Sequence, residues 1–306
     1  MTVSSAIAPP GENGRSDGLL PNAQDVEFFR RHGWWISPKI IPDALLDAAL
    51  VGIERYYAGE RDRRLPEVAG FFDWQPEQGE TLKQSGYLSL QIIEVEALIR
   101  CPALGAAASR LLEVDGIRLF HDRLIVKPPH LPGETTALGW HTDRAYWRTC
   151  TSTAMLTAWI PLHDTTDEMG SLMVIDGSHR WPGNDWMATS HERDLAALER
   201  QINTGGEEIR KVPVQVRRGQ VSFHHCRAVH GSEPNRSSRT RRALAVHMQD
   251  AENRYQPVYN ENGRAVGHLN DLLCRKDANG NPDYSDPDVF PQLWPSPPKL
   301  RCAASP

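Results

Sequence analysis

Several things are scarce in these 306 residues, and each scarcity excludes something. The five cysteines (Cys101, Cys150, Cys226, Cys274, Cys302) are scattered and form no CxxC pair. That argues against a thiolate zinc site and a disulfide framework, and suits a reducing cytoplasm. No apolar run approaches the roughly 20 residues that span a bilayer. The opening MTVSSAIAPPGENGRSDG has no basic n-region and no long apolar run, so no secretory signal is expected. Neither sign of charge is in excess: 34 Lys+Arg stand against 39 Asp+Glu, a net −5. Nothing in that balance pulls the protein toward nucleic acid or an anionic membrane. There is no internal repeat and no alternating βαβ rhythm, which argues against a Rossmann fold.

What is present is ordinary globular material, 40% apolar and 24% charged, enough for one large domain or two small ones. Residues 1–21 are rich in Gly, Pro, Ser and Asn and are expected to be disordered. Residues 22–306 read as a single domain in three parts: a helical buttress over 22–115, a β core over 116–249 and a C-terminal wrap over 250–306. In the first part NAQDVEFFRRHG reads as a helix capped by Asn22 and stopped by Gly33. WWISPKII looks extended. PDALLDAALVGIERYY repeats Leu46, Ala49, Leu50 and Ile53 at helical spacing behind Pro42. Residues 58–86 look like loop, and Leu88–Arg100 and Pro102–Leu112 like helices. After Gly116 come short β-rich runs split by turn residues: IRLFHDRLIVKPP, TAMLTAWIPL, SLMVID, VPVQV, QVSFHH and RRALAVHM. HERDLAALERQI reads as a helical insert. Helices first and many short strands afterwards predict a β-sandwich or jelly roll with flanking helices.

The chemistry starts at LGWHTDRAYW. In an extended chain His141 and Asp143 share a face and Thr142 points away. Such a pair can hold a metal, relay a proton or sit as a plain hydrogen-bonded couple. With 12 histidines, one His-x-Asp is expected about once by chance, so the pair needs support from elsewhere. A two-histidine, one-carboxylate iron site needs a third ligand from a distant strand. GQVSFHHCRAVHGSEPNRSSRTRRALAVHM offers His224, His225, His230 and His247. It also sets Arg241 on a new strand after a polar turn, where it can stand near His230. A guanidinium fork matches a carboxylate, so a dicarboxylic cosubstrate can chelate a metal and dock on Arg241.

In order and spacing, KPP, WHTD, TAWIPLHD, GSLMVIDGSHR and that long run resemble the phytanoyl-CoA dioxygenase family, over about Phe28 to Gln249. The N-terminal FFRRHGWWISPKIIPDALLDAAL is also similar to the family's opening. The resemblance implies a double-stranded β-helix, a cupin-like jelly roll. It implies His141, Asp143 and His230 as iron(II) ligands, Arg241 as the anchor of the 2-oxoglutarate cosubstrate, and dioxygen as oxidant. It also puts Ser232 near the cosubstrate carboxylate and Trp159 beneath it. Gly170 and Gly177 match a turn-rich family loop, with His179 expected as a structural hydrogen-bonder. His224 and His225 alternate faces, so at most one points inward, and both are expected to be non-ligands. Lys127 is expected to be a solvated lysine before a proline turn, and Arg144 and Arg148 to sit on the surface. The carboxylate ligand favours oxygenation over halogenation.

The resulting expectation is an enzyme that hydroxylates or otherwise oxidises a C–H bond of a small molecule in specialised metabolism. Trp34, Trp35, Phe71, Phe72, Trp74, Tyr146, Trp147, Trp181 and Trp186 are candidates for its pocket, though most should be core. No nucleic-acid or membrane partner is expected. Two other classes stay open. One is a non-catalytic jelly roll with a structural metal. The other is a zinc cupin-type hydrolase or isomerase, which gives Arg241 no role.

Overall fold

The computed structural model describes residues 18–68, 73–130, 135–202 and 209–296. The expected disorder of residues 1–17, and Phe71, Phe72 and Cys302, lie outside the described residues. The helices are α1 (Ala23–His32), α2 (Asp43–Tyr57), α3 (Ile93–Ile99), α4 (Pro102–Leu112), α5 (Leu195–Ile202) and α6 (Asn270–Leu273). The strands are β1 (Trp34–Ile36), β2 (Lys83–Gly86), β3 (Ile117–Lys127), β4 (Leu138–His141), β5 (Met155–Pro161), β6 (Leu172–Ile175) and β7 (Lys211–Pro213). They continue with β8 (Ser222–His225), β9 (His230–Ser232), β10 (Arg241–Asp250), β11 (Val258–Tyr259), β12 (Ala265–Val266) and β13 (Gln292–Trp294).

The larger sheet runs β1-β8-β5-β10-β3-β13, with β2 also on β3, and the smaller runs β4-β9-β6-β7. All pairings within them are antiparallel. Side-chain alternation decides what each face touches. On β10, Leu244, Val246 and Met248 join a core with Leu46, Ile53, Val95, Leu98 and Leu104 of the helices. On the other face Ala243 and Ala245 meet Trp159, Leu172 and Val174, so the two sheets pack inner face to inner face. This is the jelly roll, with the N-terminal helices buttressing the outside of the larger sheet.

Local signals place the buttress. Asn22 Oδ1 accepts from the Gln24 and Asp25 amides (2.8 and 3.1 Å), and Asp25 accepts from the Asn22 amide. Gly33 ends the helix at φ +76, where a side chain would be strained. Among its described residues the loop expected over 58–86 holds a strand, β2, paired with β3 from Gly86↔Arg123 to Lys83↔Val126. The helix expected from Leu88 starts only at Ile93, after a 3-10 turn at Leu88–Leu90 that the buried Asp122 caps through the Leu88 and Ser89 amides. The C-terminal wrap is irregular but not separate, because β13 pairs with β3. No helix among the described residues is long and apolar enough to cross a membrane.

Candidate active site

The inner faces of both sheets enclose a cavity of about 300 Å³. His141 ends β4, and Thr142 stays extended (φ −114, ψ 142) with its hydroxyl donated away to the Asn184 carbonyl. Asp143 therefore follows on the same side as His141. Antiparallel pairing puts His230 of β9 directly opposite His141. Donor atoms of His141, Asp143 and His230 all lie within 4.8 Å of one another, the only such group of potential metal ligands among the described residues.

Both imidazoles are oriented by their own strands. His141 Nδ1 donates to the Gly139 carbonyl (2.7 Å) and His230 Nδ1 to the Ala228 carbonyl (2.9 Å). An imidazole that donates through Nδ1 to a carbonyl presents a lone pair at Nε2. Burial pushes both imidazoles below their ordinary range, so they stay neutral and able to ligate. Asp143 is held by a relay. Thr157 donates its single proton to Asp143 Oδ2 (2.5 Å), so His247 Nδ1 must donate to Thr157 (2.7 Å). Burial pushes the Asp143 carboxyl up, but His230, His247 and His224 around it outweigh that and hold it well below the carboxylate range. These are the donors and second partners of a mononuclear metal site.

The other residues singled out in the sequence divide. Arg241, Ser232 and Trp159 all line the cavity, with the Arg241 guanidinium carbon 5.6 Å from the Trp159 ring centre. His224 points inward, with its Nε2 3.5 Å from Asp143 Oδ2, while His225 faces out against Phe29 and His179. His179 accepts no place in the cavity and bonds the Arg30 carbonyl. Gly170 and Gly177 hold left-handed turns at φ +63 and +70. Of the described aromatic candidates only Tyr146 and Trp147 reach the cavity. Trp34 and Trp35 are core, and Trp186 is exposed.

Lys127 corrects the sequence reading. It is fully buried, and it donates to Ser232 Oγ (2.6 Å) and the Glu233 carbonyl (2.5 Å). The reason is strand parity: Lys127 shares the inner face of β3 with Arg123 and Ile125 and pairs directly with Arg241. Arg144 is a second correction. Half-buried, it donates to the Trp147, Cys150 and Ser152 carbonyls, whereas Arg148 is exposed. Thr157, His121, Arg123 and His268 went unread in the sequence, and His247 figures there only among the histidines offered for a third ligand. Odd-numbered alternation on β3 and β10 was the signal that could have found all but Thr157 and His268.

A family model described as Phytanoyl-CoA dioxygenase (PhyH) matches residues 30–243. The chain belongs to the phytanoyl-CoA dioxygenase family. It is 27% identical over 142 residues to the peroxisomal phytanoyl-CoA dioxygenase of Bos taurus, which is 46% of this chain and 42% of that protein. It is 26% identical over 183 residues to a probable alpha-ketoglutarate-dependent hypophosphite dioxygenase of Stutzerimonas stutzeri, 57% of this chain and 60% of that one. The chain thus spans about half the length of the curated relatives it matches. Among solved structures it superposes on the non-heme alpha-ketoglutarate-dependent carbocyclase SnoK from nogalamycin biosynthesis with a TM-score of 0.66 and 25% identity, covering 89% of this chain and 96% of that one.

Two expected results arise here. His224→Ala and His225→Ala should each keep iron, because neither belongs to the donor group. Metal content after dialysis checks this; loss in His224→Ala with His230→Ala unaffected would move a ligand to His224. The second concerns acid. Burial pushes His247 down to about 4, and His225 and His268 to about 3. Below about pH 6.5 the unfolded chain takes up protons at these sites that the folded chain does not, so stability falls as pH falls. Each contributes at most about 1.4 kcal/mol per pH unit. Asp122, raised by burial to about 6, works the other way above its unfolded value. In the metal-free protein these four groups together should cost up to about 3 kcal/mol per unit between about pH 6 and 5, and the other depressed imidazoles, His141 and His230 among them, add to the loss. Urea midpoints across that range test it, and constant midpoints would contradict it.

Proposed function

We propose that the protein is an Fe(II)- and 2-oxoglutarate-dependent oxygenase that oxidises a C–H bond of a small molecule. One observation carries the reading. The cavity with the three metal donors is lined by a buried cation, Arg241, and a second, Lys127, stands directly opposite it on the paired strand and bonds the lining Ser232; neither has a carboxylate within ion-pair distance among the described residues. Arg241 is 1% exposed and its Nε has no partner. Like charges directly opposite on paired strands repel, and more so when buried. Burial alone pushes Arg241 down to about 9; burial, and then Arg241 itself, push Lys127 well below its ordinary range. Such a pair calls for an anion. A 2-oxo dicarboxylate satisfies it with its distal carboxylate while its 2-oxo acid end reaches the metal position.

Iron(II), when bound, would supply the oxidising chemistry with dioxygen and the 2-oxo acid. His141, Asp143 and His230 would hold it and leave open positions for both. Arg241 and Ser232, the latter held by Lys127, would fix the cosubstrate, and Trp159 would wall it off from water. Dependence on 2-oxoglutarate is in keeping with the descriptions of the Stutzerimonas stutzeri protein and SnoK, and SnoK's setting favours specialised metabolism. We read residues 22–306 as one catalytic unit, since the cavity takes walls from Gln84 to Leu269. We place it in the cytoplasm, in keeping with four buried free thiols.

The test is anaerobic titration of iron(II) and 2-oxoglutarate, read by a weak visible charge-transfer band, followed by dioxygen and succinate production. A zinc-loaded protein active without oxygen would replace this reading with the hydrolase one. Metal binding without the band would favour the non-catalytic one.

A further inference from the structure

A second cation, Arg123, lines the cavity, and the metal and cosubstrate do not account for it. Arg123 stands on the inner face of β3, four residues from Lys127, or roughly 13 Å along the strand at about 3.3 Å per residue. It pairs with Ala245 and so lies at the His247 end of the cavity, away from Arg241. Its hydrogen-bond partner is a neutral amide, Gln84 Oε1 at 3.2 Å. No carboxylate among the described residues lies within ion-pair distance of it. Arg123 is half-buried, and a guanidinium largely removed from water without an anion is costly, so the position suits a charge that arrives from outside.

The imidazoles of His121, His247 and His268 line the same cavity. His121 packs on His247 and His268, with ring centres 4.2 and 5.0 Å away. These three do not form a metal-ligand group. His121 is 5% exposed and its Nε2 has no partner. His268 Nδ1 accepts the Asn270 amide (3.1 Å), which leaves the proton on Nε2 as a donor. His247 gives its proton to Thr157, so it presents a lone pair and adds no donor.

We propose that Arg123, with His121 and His268 beside it, docks a carboxylate of the substrate. The proposal rests on the oxygenase reading only in taking this cavity as the active site. One guanidinium fork matches one carboxylate. A phosphate dianion would call for more cations, and Arg241, the other cation of the lining, lies toward the opposite end. His268 and Leu269 also come from beyond residue 243, where the family match stops. The acid pocket is therefore completed by residues outside the matched family segment, which makes them a determinant of which small molecule is taken.

The experiment uses calorimetry on the protein loaded anaerobically with iron(II) and 2-oxoglutarate. Probes are hexanoate, benzoate and cyclohexanecarboxylate, each beside its methyl ester. At least one acid should bind, with its ester weaker by about 30-fold or more. Arg123→Gln should bring that acid down to the level of its ester, and Arg123→Lys, which keeps the charge and loses the fork, should fall between. The 2-oxoglutarate constant should stay within about twofold of wild type in both variants, which also shows that they fold. Acids that bind no better than esters, or an Arg123→Gln that binds them normally, would overturn the proposal. So would a 2-oxoglutarate constant that collapses in Arg123→Gln and holds in Arg241→Ala, because the cosubstrate would then occupy Arg123. Acid binding through Arg123 in a protein that gives no charge-transfer band supports the pocket and overturns the oxygenase reading alone.

Discussion

Asp143→Ala should give a folded protein that neither retains iron nor turns over. The substitution removes a ligand and the only carboxylate of the donor group together. The two histidines left behind are neutral, and a neutral pair holds a hard divalent ion weakly. Losing an outer partner of a metal ligand costs about 10- to 100-fold in affinity or activity, so losing the ligand itself should exceed about 100-fold. Folding should survive, since the lost acceptor leaves only the Thr157 hydroxyl without its partner. Iron content after dialysis and succinate formation check the result, with circular dichroism as the control. A well-folded Asp143→Ala that kept wild-type turnover would remove the iron assignment.

Arg241→Ala should weaken 2-oxoglutarate binding by about 30-fold to several thousand-fold, the range for losing one partner of a desolvated charge pair. Arg241→Lys should weaken it less, because an ammonium keeps the charge but cannot reproduce the fork. Arg242→Ala is the control. Its side chain faces the other way, toward Glu54, 3.4 Å distant on α2. Titration of the iron(II) chromophore gives each constant. Unchanged binding in Arg241→Ala would take away the main support for 2-oxoglutarate over another chelating acid. Lys127 shares the load, so a loss at the lower end of the range still fits the geometry.

The sequence carried the architecture where local rules are strong. The Asn22 cap, the Gly33 stop, the apolar repeat of α2 and the β-rich runs after Gly116 each depend on neighbours within a turn or a strand. It failed where the deciding contact is distant. Lys127 looks like a solvated lysine until the register of β3 on β10 puts it inside, opposite Arg241. The β2 strand has no apolar alternation and exists because β3 offers it an edge. His268 sits in a stretch of Gly, Asn and Asp that reads as loop, and only the return of the wrap over β3 brings it to Arg123. The His-x-Asp spacing brought His141 and Asp143 to one place, but Thr157 and His247, which fix the carboxylate, come from strands that no spacing rule connects to it.

The order of the larger sheet has a consequence for how the chain is made. β8 lies between β1 and β5, and β10 lies between β5 and β3. Within the two sheets, only β2–β3 and β6–β7 join strands that both precede residue 222. A nascent chain that has reached β7 therefore holds most of its strands with their partners still unsynthesised, and the apolar faces of α2 to α4 wait for a sheet that is not yet there. Such non-local pairing makes folding slow and leaves edges open meanwhile. Synthesis halted before Arg241 should yield aggregating fragments, and the protein should acquire its native form in one late step, once β10 has left the ribosome.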